Sequence, residues 1–148
     1  MEENLKISNL LRMIDIRIRK DLDRRNEEFL LSSLQVRILV FLIRHEGKEI
    51  NPRDLEHCFH LSKPTITGVL KRLEDKGYLH YEASQKDHRY KQIVLDEKAY
   101  QCAKQLERNF KAMEEKLYQG FSEEELSEIR SLLLRLLSNI STEGEVIQ

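Results

Sequence analysis

The stretch from residue 51 to residue 95 restricts the fold more than any other part of the chain. It holds two helix starts in quick succession and then a change of apolar period. Asn51-Pro52-Arg53-Asp54 puts an N-cap residue before a proline at the first helical position, where the missing N–H costs nothing. Leu55 and Phe59 mark the inward face of the short helix that follows. Ser62-Lys63-Pro64-Thr65 opens the next helix by the same logic, with Ile66, Val69, Leu70 and Leu73 along one side and Gly77 as its stop. Two short helices separated by about three residues predict a helix-turn-helix.

Beyond Gly77, Tyr78 to Ala83 and Tyr90 to Leu95 read as strands joined by the polar run Ser84 to Arg89. A lone hairpin is marginal in water, so this one must lean on the preceding helices. Helix-turn-helix followed directly by a hairpin predicts a winged helix, mainly α with a small β-wing.

The flanks read as helices too. Ile7, Leu10, Leu11, Ile14, Ile18 and Leu22 recur at helical spacing. Ser32 to Gln35 has the form of a capping box opening a helix through Val36, Leu39, Val40 and Ile43, which Gly47 ends. Asp96 is expected to cap a long helix through Leu106, Phe110, Met113 and Leu117, broken at Gly120. A second capping box, Ser122 to Glu125, opens a last helix from Leu126 to Ile140. Leucines cover most of that helix's circumference, and a helix apolar nearly all round must be buried. The economical solution is that both ends of the chain pack against a second copy. The expected division is therefore 1–30 as an N-terminal dimerisation helix, 31–95 as the winged lobe, 96–141 as the long helix plus a C-terminal dimerisation helix, and 142–148 as a flexible tail.

Composition agrees and excludes several classes. A 148-residue chain that is 40% hydrophobic and 34% charged, with five Gly and two Pro, is globular and helical rather than a sandwich or a collagen-like repeat. Two Cys make no disulfide framework, and the N-terminus lacks the layout of a signal peptide. The longest apolar run, Ile38 to Ile43, falls far short of a membrane span. The expectation is a soluble cytoplasmic protein with no membrane partner. Net charge is −1, but unevenly spread. Residues 48–95 hold 9 Lys and Arg against 7 Asp and Glu, whereas 96–148 hold 7 against 11. The middle third is the candidate polyanion surface.

The residues that would meet DNA follow from that placement. The second helix of the pair keeps its apolar groups on one face and presents Lys63, Thr65, Thr67, Gly68, Lys71 and Arg72 on the other. Short hydroxyls and a glycine near a helix start let backbone approach base edges, and the cations neutralise phosphates. The hairpin tip gathers Lys86, Asp87, Arg89 and Lys91, with His88 beside them. An arginine on a projecting loop suits a narrow minor groove. The competing reading is an adaptor that uses the hairpin to contact protein.

The chain resembles the MarR family of bacterial transcription regulators. Leu31 to Gln35, Ser62 to Thr67, Leu73-Glu74-Asp75-Lys76-Gly77-Tyr78-Leu79, Asp87-His88-Arg89 and Leu95 to Lys98 fall in that family's order and spacing. The resemblance spans about residues 5–140 and implies a homodimeric regulator, usually a repressor, on a pseudo-palindromic operator in double-stranded DNA. It implies that Thr65, Thr67 and Lys71 face the major groove, that Arg89 enters the minor groove and that Asp87 orients the wing. It further implies a small aromatic or anionic effector, with no pocket residues assigned. Four positions depart from the family's habit: Tyr81 for an arginine that would pair with Asp87, Asp96 for a threonine cap, Ala99 for a glycine, and Glu56 for a small residue.

Other signals carry less. His57 and Cys58 are adjacent on a helix and point about 100° apart, which argues against a shared metal with His60. Cys58 and Cys102 lack an obvious activating cation, so neither is assigned a redox role. No motif for catalysis is present, and neither a cofactor nor a metal is expected. The charges of Arg17 to Lys20 and Asp23 to Arg25 read as a solvated, internally paired helix face.

Overall fold

A computed structural model of the chain describes residues 5–142. The expected tail at 142–148 lies outside them apart from Thr142. The elements run α1 (Ile7–Arg25), a 3₁₀ turn (Glu27–Phe29), α2 (Ser33–Arg44), α3 (Pro52–Phe59), α4 (Lys63–Asp75), β1 (Leu79–Ala83), β2 (Lys91–Leu95), α5 (Glu97–Leu117) and α6 (Glu123–Ile140). The chain is mainly α with one two-stranded antiparallel hairpin, the winged-helix arrangement expected. It falls into two compact units, Met1–Met113 and Glu114–Gln148.

Local capping chemistry sets the helix starts of the first unit. Ser32 and Gln35 close a reciprocal capping box at α2. At α3, Asn51 Oδ1 accepts from the Asp54 amide and Asp54 returns the bond to the Asn51 amide, with Pro52 in the first turn. Ser62 Oγ caps α4 by accepting from the Thr65 amide and lies 2.9 Å from Thr65 Oγ1. The end of α4 is a Schellman motif. Gly77, at φ +83°, donates to Glu74 O, and Tyr78 donates to Leu73 O. That is why β1 begins at Leu79 rather than at Tyr78: the Tyr78 amide is already engaged by the helix.

One apolar core holds the unit together. Ile38 and Leu39 of α2, Leu55 of α3, and Ile66, Leu70 and Leu73 of α4 are wholly buried. Leu79 and Ile93 of the hairpin and Ala99, Cys102 and Leu106 of α5 join the same cluster. The hairpin thus leans on the helices, as its marginal stability requires. Its register sets Tyr81 opposite Ile93 and Leu79 opposite Leu95. Asn109 of α5 donates to Arg25 O and Asn26 Oδ1, tying the end of α1 to α5. Along α1, Arg19 pairs with Asp15, and both Arg24 and Arg25 pair with Asp21, but Asp23, expected in the same internally paired face, instead accepts from the Ser33 amide at the start of α2 at 2.8 Å.

In the second unit, Ser122 and Glu125 close a capping box at α6, and three glutamates occupy its first turn, where the helix dipole favours them. None of its side chains is buried within the chain.

Candidate nucleic-acid interface

Helix α4 divides cleanly into two faces. Ile66, Val69, Leu70 and Leu73 are buried, while Lys63, Thr65, Thr67, Lys71 and Arg72 are exposed and Gly68 is half-exposed. The buried face fixes the helix's rotation about its own axis, so the polar face is presented by packing rather than by chance. A Cβ built at Gly68 would meet no atom within 4 Å, so nothing inside the chain calls for glycine there. Lys71 Nζ stands 3.7 Å from Asp75 Oδ1, an exposed pair that leaves its positive charge available to a polyanion.

The wing loop carries the second group. Asp87 organises it: its Oδ1 accepts from the Arg89 amide at 3.1 Å, and its carboxylate takes the guanidinium through Nε at 3.1 and 3.2 Å and Nη2 at 2.8 Å. These bonds lower the Asp87 pKa and raise that of Arg89. The Arg89 side chain nevertheless stays 83% exposed. The sequence departure at Tyr81 put a wing ion pair with Asp87 in question; the structure supplies that pair from Arg89 itself. Lys86 and Lys91 are exposed on the same hairpin. The two groups sit on separate elements, α4 and the hairpin that follows it.

One residue that sequence reading left unassigned binds the wing's root. His80 of β1 has Nδ1 2.6 Å from Asp96 Oδ1 and Nε2 2.9 Å from Glu82 Oε1. A neutral imidazole has one N–H and can donate to only one of them, so the arrangement favours imidazolium. The Glu82 and Asp96 hydrogen bonds accordingly raise the His80 pKa. Asp96 therefore does not act as the expected side-chain cap of α5. Its carboxylate is taken by His80, while its main-chain carbonyl accepts from the Ala99 amide. The His80 contribution to stability is complete below about pH 6.5, the ordinary histidine value, and is lost as pH rises through the raised folded value. An NMR titration of His80 is expected to give a midpoint above about 6.5, and His80→Gln to flatten that part of the stability–pH profile. A midpoint at or below the ordinary value would show that the two carboxylates do not hold the charge.

The remaining signals resolve structurally. Cys102 is buried, and that burial raises its thiol pKa, the reverse of what a thiolate switch needs. Glu56 is half-buried on α3. Among the described residues, no group of three or more His, Cys, Asp or Glu could hold a metal ion, and no helix is long and apolar enough to cross a membrane.

Comparison with known proteins points the same way. A family model described as MarR family matches residues 31–89, the span from the α2 cap to the wing arginine. The HTH-type transcriptional regulator PecS of Dickeya dadantii (strain 3937) is 26% identical over 135 residues, covering 90% of this chain and 81% of that protein. The structure of a MepR–DNA complex from S. aureus superposes with a TM-score of 0.87 at 25% identity, covering 92% of this chain and 97% of that one. The transcription regulator MarR from Oenococcus oeni PSU-1 gives a TM-score of 0.78 at 26% identity over 90% of this chain and 99% of that one. With a helix-turn-helix that turns a polar and basic face outward and a wing that ends in a braced arginine, the chain is similar to the MarR family of winged-helix, DNA-binding transcription regulators, in sequence across its winged lobe and in fold across about nine-tenths of its length.

Proposed function

We propose that this chain works as a homodimer on an inverted-repeat operator in double-stranded DNA. Each subunit sets α4 into a major groove through Lys63, Thr65, Thr67, Gly68, Lys71 and Arg72. The wing, with Lys86, Asp87, Arg89 and Lys91, lies beside it over the minor groove. The observation that carries this reading is the two-faced α4, polar and basic outside over a buried apolar side. The MepR–DNA relative supports it as a similar chain that binds DNA. Two-fold symmetry asks for half-site centres about one turn, ~10 bp, apart.

Dimerisation rests on apolar faces that the single chain leaves open. On α1, Ile7, Leu10, Leu11, Met13 and Ile14 are 37–60% exposed. On α6, the leucines from 132 to 137 are 39–47% exposed. Repression follows from occlusion of a promoter by the bound dimer, in the cytoplasm where the chromosome lies. Relief would come from a small aromatic or anionic effector that favours a dimer with mis-spaced α4 helices, a coupling typically of about 1–3 kcal/mol. The chain's role is recognition, and no catalytic function is assigned to it.

Selection of bound duplexes from a random pool, followed by anisotropy titration of the winner at several salt concentrations, tests this reading. The expected result is an enriched inverted repeat whose log K falls against log salt with a slope near −11, as about six cation contacts from each of two subunits require. Weak, sequence-blind binding with no enrichment would favour a protein-binding adaptor.

A further inference from the structure

The connection between α2 and α3 has no part in the reading above, yet it grips the wing from the side. Glu49 Oε2 accepts from Ser84 Oγ at 2.8 Å and Glu49 Oε1 from the Gln85 amide at 2.8 Å. The neighbouring Ile50 carbonyl accepts from the Ile93 amide at 2.8 Å. Residues 49 and 50 therefore hold the hairpin at the end of β1 and at the middle of β2.

Ser84 carries the tie onward into the loop. It is 8% exposed, and its Oγ accepts from the amides of Lys86 at 3.2 Å and Asp87 at 3.3 Å. With both of those bonds made to its oxygen, its one hydroxyl hydrogen goes to Glu49. Asp87 in turn fixes the main chain and the guanidinium of Arg89. A continuous series of hydrogen bonds thus runs from Glu49 through Ser84 and Asp87 to Arg89. A cavity of about 310 Å³ lies alongside, walled by Glu49, Gln85 and Gln92 of this region and by Leu42 and Tyr100. Within the hairpin the Ser84 amide also donates to Tyr90 O at 2.8 Å, so Glu49 adds a side-chain tie from outside the hairpin to a loop base that the hairpin itself closes.

We propose that Glu49 is a positioning residue for DNA recognition, setting the direction in which the wing presents Arg89 to the minor groove. The Ser84 hydroxyl and the Gln85 amide also hold the Glu49 carboxyl below the usual carboxylate range, as expected of a carboxylate engaged in its charged form. The sign of one substitution is diagnostic. An unengaged acid near a polyanion only repels it, so neutralising such an acid would tighten binding. A positioning acid does the opposite. In Glu49→Gln the new amide nitrogen faces a donor, one of the two bonds is lost and the wing loosens.

The inference rests on the wing's being a DNA contact, and the experiment separates the two. Full-length wild type, Glu49→Gln, Arg89→Ala and the double variant are titrated against the selected inverted-repeat duplex, with hydroxyl-radical and dimethyl sulfate footprints of each. Glu49→Gln is expected to weaken binding roughly 10-fold but to add less than about 2-fold in the Arg89→Ala background, because the two residues act as one unit. Minor-groove protection at the wing fades while major-groove protection under α4 stays. Unchanged or tighter binding by Glu49→Gln, with Arg89→Ala still weakened, overturns the inference and leaves the wing reading standing. An equal loss in both backgrounds also overturns it, since that is general damage to the lobe. No effect from either single variant removes the wing reading and the inference together. Should Glu49→Gln fail to fold, Ser84→Ala cuts the same series one bond further on and is judged by the same outcomes.

Discussion

The double variant Leu133→Asp, Leu137→Asp is expected to run as a monomer and to lose roughly 10²- to 10³-fold in affinity for the full inverted repeat, with half-site binding little changed. The reasoning starts from α6 itself. Its 18 residues begin with a complete capping box and an acidic first turn, so the helix is locally well formed. It nevertheless buries none of its side chains within the chain, and Leu133 and Leu137 are 41% and 45% exposed. Exposed leucines one helical turn apart are the surface on which the proposed dimer would rest. Carboxylates brought together across a two-fold interface are desolvated and repel, which removes the interface without touching the DNA-binding lobe. Loss of avidity then follows by arithmetic, because the second half-site is no longer held near the first. Light scattering reads the mass and anisotropy on half- and full-site duplexes reads the affinity. A dimeric variant would move the interface away from α6. A monomer that bound the full site as well as wild type would remove the two-half-site reading.

The winged architecture was legible in the sequence because its signals are local. Caps at Ser32, Asn51, Ser62 and Ser122 each satisfy an amide three residues on, a relation that spacing alone displays. The two faces of α4 were legible for the same reason: helical period sorts Ile66, Val69, Leu70 and Leu73 from the hydroxyls and cations between them. The misreadings lie where a local signal competes with a partner distant in sequence. Asp96 looks like a cap, but His80, on the other side of the hairpin, takes its carboxylate. Tyr78 looks like the first residue of a strand, but the Schellman turn at Gly77 has first claim on its amide.

Glu49 is the plainest case of a role that spacing hides. It is one acid in a short polar connection, 35 residues from Ser84, and nothing in its neighbourhood marks it. Only the approach of the hairpin to the α2–α3 connection, where the Ile93 amide donates to Ile50 O, brings its carboxylate to the wing. The Asp87–Arg89 brace lay between these extremes. Its two members are close in sequence, but comparison with a family habit at Tyr81 drew attention to the wrong cation.

Arg89→Ala is expected to weaken operator binding roughly 30-fold while leaving the dimer intact, and to reduce the salt slope by about 2, one contact for each subunit. Asp87 occupies Nε and Nη2 of the guanidinium, and among the described residues nothing accepts from Nη1. The arginine is therefore held at its base with one end of its fork open. That arrangement reduces the side-chain freedom to be lost on entering a groove, because Asp87 has already restricted it. Both Nη1 hydrogens remain for the O2 and N3 acceptors that line an A·T minor groove. Arg89→Lys separates charge from geometry. Lysine keeps the cation and so most of the salt slope, but it has no planar fork for Asp87 to brace. Its preference for a narrow A·T-rich flank over a G·C-rich one is expected to fall while the affinity for the weaker flank barely changes. If Arg89→Ala bound the operator as tightly as wild type, the wing would have no part in the groove and recognition would rest on α4 alone. If Arg89→Lys kept the full flank preference, the wing would read charge and not shape.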